Sequence, residues 1–346
     1  VIEKPAFWVG PLALAIVIGG VSSPVDAGQA RRPAATRAAK TAPRKAYSAS
    51  RSKQRRTTLA RARAVAMARE IADTIVPRYK VDASGDLVPD VRAAAAIVYD
   101  PETQEVLWEE NSQDQRSIAS ITKVMTATVF LENNPDLTET VTVTRPDVYR
   151  ASTTHLRAND KLTTDDLLHL LLIASDNAAA RVLARVSPLG TEGFIQRMNE
   201  KAVEMGLVST HYADSSGLLS DNVSSAYDMA RLITNASNDP RISSIMQMAN
   251  YTVDAGRRNI TFRSTNHLLG REDVDVMAAK TGFISKSGYC LATLLRLPQT
   301  DQEVAVVVLG ARSNAGRFLE TQNLFNWFAA KASAIFATAT PAVRQD

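Results

Sequence analysis

Apolar positions along this chain keep two rhythms. Residues 93–99 form a short, nearly continuous apolar run, the signature of a buried strand. Asp100, Pro101, Glu102 and Thr103 follow as a turn, and 105–108 resumes as a second strand, so the pair predicts a hairpin. Near the other end, 288–297 and 303–309 are strongly apolar and are joined by the polar turn 298–302, which predicts a second antiparallel hairpin. The middle of the chain has helical spacing instead. Residues 118–131 read as a helix, and 163–186 as helical material interrupted at Ser175, Asp176 and Asn177. Thr163 with Asp166 makes a capping box at its start. Residues 191–205 carry Phe194, Met198 and Met205 on one face, with Gly206 suited to the C′ position. A last amphipathic helix is expected over 314–332. Strands at both ends and helices between them pack most simply as one sheet faced by helices. The fold class expected is α/β (α+β), with a mainly antiparallel sheet. Two antiparallel hairpins argue against a doubly wound parallel sheet, and no internal repeat is visible.

The N-terminal part has neither rhythm. Residues 7–21 are a 15-residue apolar run interrupted by Gly and Pro, followed by small residues at Ala27, Gly28 and Ala30. This is the order of a secretory signal with cleavage near 27–30, and the run is short for a membrane span. The n-region offers only Lys4 against Glu3, so an uncleaved anchor, or neither a signal nor an anchor, are the alternatives. The first two readings place the body outside the cytoplasm, and a periplasmic location is expected. Residues 22–57 are rich in Ala, Ser, Pro, Arg and Gln without apolar periodicity and read as a disordered linker. Residues 58–73 allow a short helix with a thin apolar face, and 81–89 read as a loop. The expected division is 1–30 signal or anchor, 31–87 basic linker, 88–332 catalytic domain and 333–346 flexible tail.

Charge changes the picture once it is divided. The formal net charge is +4. Residues 31–69 hold thirteen Lys or Arg and no acid, whereas 70–346 hold 26 bases against 34 acids. The basic character therefore belongs to the arm. The body has no basic stripe interleaved with aromatics, and nucleic acid is not an expected partner. The arm is either a solvated spacer or an electrostatic contact with an anionic surface. Cys290 is the single cysteine, so no intrachain disulfide can form. His155, His169, His211 and His267 are scattered and show no metal-ligand spacing. No metal or other cofactor is expected.

Three short motifs carry the candidate chemistry. In Ser120-Ile121-Thr122-Lys123, a helix places Ser120 and Lys123 on one face. A serine hydroxyl needs a neighbour to take its proton, and a lysine can do so when apolar burial lowers its pKa. Ser175-Asp176-Asn177 interrupts a helix with residues that cap and turn. As a polar knuckle, its Ser175 would hydrogen-bond Lys123 and relay a proton to a leaving amine, and its Asn177 would hold Lys123 and the substrate backbone. In Lys280-Thr281-Gly282, the charge and hydroxyl suit a carboxylate, and the glycine permits close backbone approach. The N–H of Phe283 could then join that of Ser120 as an oxyanion hole. Each motif taken alone recurs by chance; the ordered triplet does not.

That triplet resembles the one in penicillin-binding proteins and serine β-lactamases. Residues 117–126 (SIASITKVMT) are similar to the nucleophile helix of low-molecular-weight serine D-alanyl-D-alanine carboxypeptidases. Residues 162–180, 211–219, 223–233, 266–289 and 308–316 resemble further segments of that family, and the likeness covers about 88–330. It implies a β-lactamase/transpeptidase-like fold with a helical subdomain and acyl transfer through Ser120. It further implies Lys123 as base and carboxylate binding by Lys280 and Thr281. Implied partners are peptidoglycan stems or crosslinks, with β-lactams as covalent inhibitors. About 16 residues follow Ala330, which leaves no room for the second domain and anchor of many carboxypeptidases. The nearest resemblance is to short D,D-endopeptidases similar to penicillin-binding protein 7. Hydrolysis of D-alanyl-diaminopimelate crosslinks is the expected function, with pentapeptide trimming as the alternative. Asp176 stands where a small residue is frequent, and is expected to point away from the cleft rather than toward Lys123. Arg116 stands where many relatives have proline. A class A β-lactamase would need a deacylating carboxylate that is not evident around 190–199, and no G-x-S-x-G elbow exists for a His-based hydrolase. A silent wall-binding protein would have lost a motif residue, and all are present.

Overall fold

The computed structural model describes residues 49–297 and 301–339, excluding the side chains of 49–55 and 332–339. The apolar run at 7–21, the small residues at 27–30, the arm before 49 and the end of the tail lie outside the described residues, as do residues 298–300 of the expected turn. Among the described residues, no helix is long and apolar enough to cross a membrane.

The description begins with α1 (Ala49–Ile75). It starts at 49 rather than 58, inside the stretch read as linker. The segment has no Gly or Pro and is dense in Ala and Arg, both strong helix formers. It stops before Pro77, where the preceding residue is pushed out of the helical region. Its last turn is held to the body, since Asn323 Nδ2 donates to Thr74 O at 3.0 Å. The expected loop at 81–89 is instead a small hairpin: β1 (Tyr79–Val81) pairs antiparallel with β2 (Leu87–Pro89). Asp82 Oδ1 shapes its turn by accepting from the backbone N–H groups of Ser84 and Asp86. Strands of three residues are too short to show a period of two, and so this hairpin was not visible as a pattern.

In chain order the body continues with β3 (Ala95–Tyr99), β4 (Val106–Glu110), β5 (Arg116–Ser117), a 3₁₀ turn at Ala119–Ile121 and α2 (Thr122–Leu131). Next come β6 (Thr140–Thr142), α3 (Arg145–Val148), β7 (Lys161–Thr163), α4 (Thr164–Leu172), α5 (Asn177–Val186) and α6 (Gly190–Glu204). Then follow β8 (Val223–Ser224), α7 (Ala226–Ser237), α8 (Pro240–Met246), β9 (Asn250–Asp254) and β10 (Asn259–Arg263). The chain closes with β11 (Asp275–Ile284), β12 (Gly288–Arg296), β13 (Glu303–Ala311) and α9 (Asn314–Ala339).

Both expected hairpins form, and β13 pairs with β3 to join them into one sheet, ordered β11-β12-β13-β3-β4 with all neighbours antiparallel. The sheet is buried on both faces, which explains its almost continuous apolar strands. Ala96, Val98, Val304, Val306 and Val308 join Phe318, Leu324, Phe325 and Phe328 of α9 in one cluster. The alternate residues Ala95, Ile97, Ala305, Val307 and Leu309 face α7 and the helical region in the other. At the centre of that region every residue of α2 except Thr128 is buried, Lys123 included. The capping box opens α4 as expected: Thr163 Oγ1 accepts from Asp166 N at 3.1 Å while Asp166 Oδ2 accepts from Thr163 N at 3.2 Å. Met198 and Phe194 of α6 pack inward, and Gly206 ends the helix with φ +65°.

Candidate active site

The cleft opens where the helical region meets β11, the free edge of the sheet. Its cavity has a volume of about 540 Å³, and Ser120, Ser175, Asn177, Thr281, Gly282 and Phe283 all line it. The three motifs, far apart in sequence, thus meet at one place.

Ser120 sits in the 3₁₀ turn that leads into α2, not in the α-helix proper. The three-residue spacing still brings Lys123 Nζ to 2.8 Å from Ser120 Oγ. Ala119, just before the serine, has φ +48°, a left-handed conformation that costs an alanine energy and is held only by firm surroundings. Two glycines supply them. A Cβ on Gly217 would lie 2.0 Å from Ala119 O, and one on Gly282 would lie 2.6 Å from Ile118 O and 3.1 Å from Ser120 N. Backbone approaches this close require glycine at both positions.

Lys123 is fully buried. Besides Ser120, its Nζ donates to Asn177 Oδ1 at 2.6 Å and to Ser216 O at 2.5 Å. Asn177 is oriented for this by donating its Nδ2 to Ala151 O at 2.7 Å. Burial pulls the Lys123 pKa down to about 7, against the opposing pull of the Asp176 and Asp214 carboxylates.

The expected hydrogen bond between Ser175 and Lys123 is not formed. The donors of Lys123 go to Ser120, Asn177 and Ser216, and the Ser175 hydroxyl instead accepts from Lys280 Nζ at 2.8 Å. Ser175 has φ +59°, which turns its side chain out of the α4–α5 connection toward β11. Asp176 does point away from Lys123. Its Oδ1 caps α5, accepting from Ala178 N, Ala179 N and Thr154 Oγ1, and its Oδ2 accepts from His155 N. Its charge nevertheless raises the Lys123 pKa through space.

Lys280, also buried, donates to Thr281 O at 3.1 Å as well as to Ser175. Its pKa falls well below the ordinary lysine value, first through burial and then through the nearby Lys123 and Arg317 cations. The Thr281 hydroxyl is 2.6 Å from that of Thr265. Ile284 turns its N–H and C=O toward Ser287, inside the β11–β12 hairpin. Alternation along an antiparallel strand therefore puts the Phe283 N–H on the free edge, on the cleft side.

Several residues of the site stand outside the three motifs. Asp214 organises the loop that supplies Ser216 O, accepting from the N–H groups of Ser216, Gly217 and Leu219. These donors outweigh its burial and hold its carboxyl below the usual range. The signal was the string Asp214-Ser215-Ser216-Gly217, an Asx turn ending in glycine. Arg317 of α9, largely buried, donates to Gly282 O and Cys290 O and ties the edge hairpin to the rear helix. Among the described residues, no group of His, Cys, Asp and Glu could hold a metal ion.

A family model described as D-alanyl-D-alanine carboxypeptidase matches residues 82–313. The D-alanyl-D-alanine endopeptidase of Haemophilus influenzae is 34% identical over 238 residues, 68% of this chain and 82% of that one. The D-alanyl-D-alanine endopeptidase of Escherichia coli is 31% identical, covering 69% of this chain and 78% of that one. The Streptomyces K15 DD-transpeptidase crystal structure superposes with a TM-score of 0.64 at 25% identity, over 70% of this chain and 98% of that one. The chain belongs to this family of serine D,D-peptidases, enzymes of the penicillin-binding, peptidoglycan-processing class, and has their β-lactamase/transpeptidase-like fold.

Proposed function

We propose that the enzyme is a D,D-endopeptidase that opens D-alanyl-diaminopimelate crosslinks of peptidoglycan through an acyl-enzyme on Ser120. The observation that carries the mechanism is the buried amine of Lys123, 2.8 Å from Ser120 Oγ and poised to titrate near neutrality. In its neutral form Lys123 keeps two protons for Asn177 and Ser216 O and turns its lone pair to the Ser120 hydroxyl. Ser120 Oγ attacks the D-alanyl carbonyl, its proton passes to Lys123, and the N–H groups of Ser120 and Phe283 hold the oxyanion. Lys280, with the hydroxyls of Thr281 and Thr265, receives the carboxylate beside the scissile amide, and Gly282 admits the substrate backbone. The proton that Lys123 took from Ser120 passes on to the leaving nitrogen as the amide breaks, while Ser175, held by Lys280 Nζ at 2.8 Å, hydrogen-bonds that nitrogen from the cleft wall. Water then releases the acyl group from Ser120. Similarity to endopeptidases across 78–82% of their length supports the crosslink as substrate. Export to the periplasm by the 7–21 run places the enzyme with that substrate.

The test compares kcat/KM on a purified crosslinked muropeptide dimer with that on a monomeric pentapeptide, alongside labelling by penicillin. We expect the label on Ser120 and not on Ser117, and the dimer cut at least as well. A pentapeptide preference above about tenfold, roughly 1.4 kcal/mol of transition-state discrimination, would reassign the enzyme as a carboxypeptidase.

A further inference from the structure

Large apolar side chains that stay exposed are concentrated at one end of the described chain. Among the described residues, eight of the fifteen fall within 59–87. Three of them share a face of the β1–β2 hairpin. Tyr79 and Val81 alternate along β1, and Val81 stands directly opposite Leu87 of β2, so all three lie on one side. They are 45%, 67% and 62% exposed. The other side of the hairpin is used by the fold, since Val88 packs against the cluster that joins the sheet to α9. A bare apolar face beside a used one marks an interaction surface.

The helix that leads into this hairpin supplies charge. α1 carries seven Lys or Arg before its first acid, Glu70. Arg56, Arg61 and Arg63 have no acidic residue within four positions, so no pair along the helix offsets them. Every residue from Arg56 to Arg69 is exposed. The helix is held to the body through its last turn, where Thr74 O accepts from Asn323 Nδ2 and Asp73 O accepts from the Arg92 guanidinium. At 3.6 residues per turn, Leu59, Val65 and Met67 fall on different sides of α1, which therefore has no apolar stripe of its own. It is cationic around its circumference, and the apolar contribution comes from the hairpin.

An apolar face joined to a cationic helix fits one kind of partner. A second copy docking through the same hairpin face would bring its own cationic helix with it. An anionic polymer would satisfy the arginines and leave Tyr79, Val81 and Leu87 in water. An anionic lipid bilayer serves both, because phosphates pair with guanidinium groups and the boundary below the headgroups accepts apolar side chains. We propose that α1 and the β1–β2 hairpin form a docking surface for an anionic lipid bilayer, with Tyr79, Val81 and Leu87 entering the headgroup boundary and the α1 arginines on the phosphates. Among the described residues no helix is long and apolar enough to cross a membrane, so this contact is interfacial. The hairpin packs on the α9 side of the sheet and the cleft opens on the helical side, so docking leaves the cleft free.

The test uses the full chain with a polarity-sensitive dye on the thiol of Val81→Cys; Cys290 is buried and stays unlabelled. The dye reports the hairpin itself, whatever the residues before α1 contribute. Its emission should shift to the blue on vesicles containing phosphatidylglycerol and not on phosphatidylcholine vesicles, and added salt should weaken the shift. Arg56→Gln, Arg61→Gln and Arg63→Gln together should raise the lipid concentration required on the order of 100-fold, from about fivefold per cation near an anionic surface. Glutamine keeps the helix propensity of arginine, and an unchanged melting temperature checks that the fold is intact. No shift on either vesicle, equal shifts on both, or a shift that the three substitutions leave unchanged would overturn the docking surface. So would a shift on wall sacculi free of lipid, which assigns an anionic polymer, or one that grows with protein concentration alone, which assigns a second copy.

Discussion

Lys123 and Lys280 lie buried behind the walls of the same cleft, each bonded to a serine that lines it, and the walls treat them differently. Lys123 rises from a helix whose every neighbouring turn is packed, and its amine is held by a side-chain hydroxyl, an amide oxygen and a backbone carbonyl. Asp176 and Asp214 add distant negative charge that limits how far burial can lower its pKa. Lys280 rises from an edge strand, beside a serine hydroxyl and its own strand's carbonyl, and its charged neighbours are the cations Lys123 and Arg317. Both are buried, but one lacks only a proton to accept and the other lacks an anion. The helical wall therefore makes a base, and the strand wall makes an anion receiver that a substrate carboxylate completes.

The sharpest break of this comparison is to give the helical wall a cation that cannot deprotonate. Lys123→Arg keeps the charge and removes the lone pair. Penicillin acylation of Ser120 should fall at least about 100-fold, the lower range for positioned acid–base catalysis, measured by stopped-flow or gel labelling. Near-normal acylation would mean that some other group takes the Ser120 proton.

The strand wall is tested by asking whether its lysine matters only when an anion is present. Lys280→Met should lower kcat/KM on a carboxylate-ended peptide by tens of fold, since hydrogen bonds to charged groups contribute about 1.5–3 kcal/mol. It should change the rate on the matching C-terminal amide far less. Equal losses on both would place Lys280 in the chemistry instead of in carboxylate binding. The acid limb of the unaltered enzyme's pH profile belongs to Lys123: below about 7 it is an ammonium, and acylation should decline as the pH falls.

The difference between the walls was only partly legible in the sequence. The spacing of Ser120 and Lys123, the capping box at Thr163 and the two hairpins are local patterns, and local patterns are written in residue order. The Ser175–Lys280 pair joins positions 105 apart, and only the meeting of the α4–α5 connection with β11 creates it. Ser216 O is a backbone atom, so its role leaves no mark on residue identity; the trace lies in Asp214 and Gly217, which fix the loop around it. The start of α1 is hidden in the sequence because its polar, Ala- and Arg-rich composition suits a solvated linker as well as a helix.

The smallest expected effect concerns how finely the helical wall sets its base. Asp176 makes no hydrogen bond to Lys123, yet its charge acts on it through space, and it also caps α5. Asp176→Asn removes the charge and can keep the Oδ1 cap. Because the carboxylate raises the Lys123 pKa, its loss should lower that pKa. The acid limb of penicillin acylation should therefore move to lower pH by a fraction of a unit, while the plateau rate changes little. The new amide must also face the His155 N–H that Oδ2 now accepts, donor against donor. Thermal stability should fall by about 0.5–2 kcal/mol, in the range for a damaged N-cap. The two readouts separate the roles, since a weakened cap alone lowers stability without moving the acid limb. A limb that stays in place would show that the Asp176 charge is screened from Lys123. A limb displaced to higher pH would mean that the damaged cap has let water reach Lys123 and relieved its burial, an effect larger than loss of the Asp176 charge.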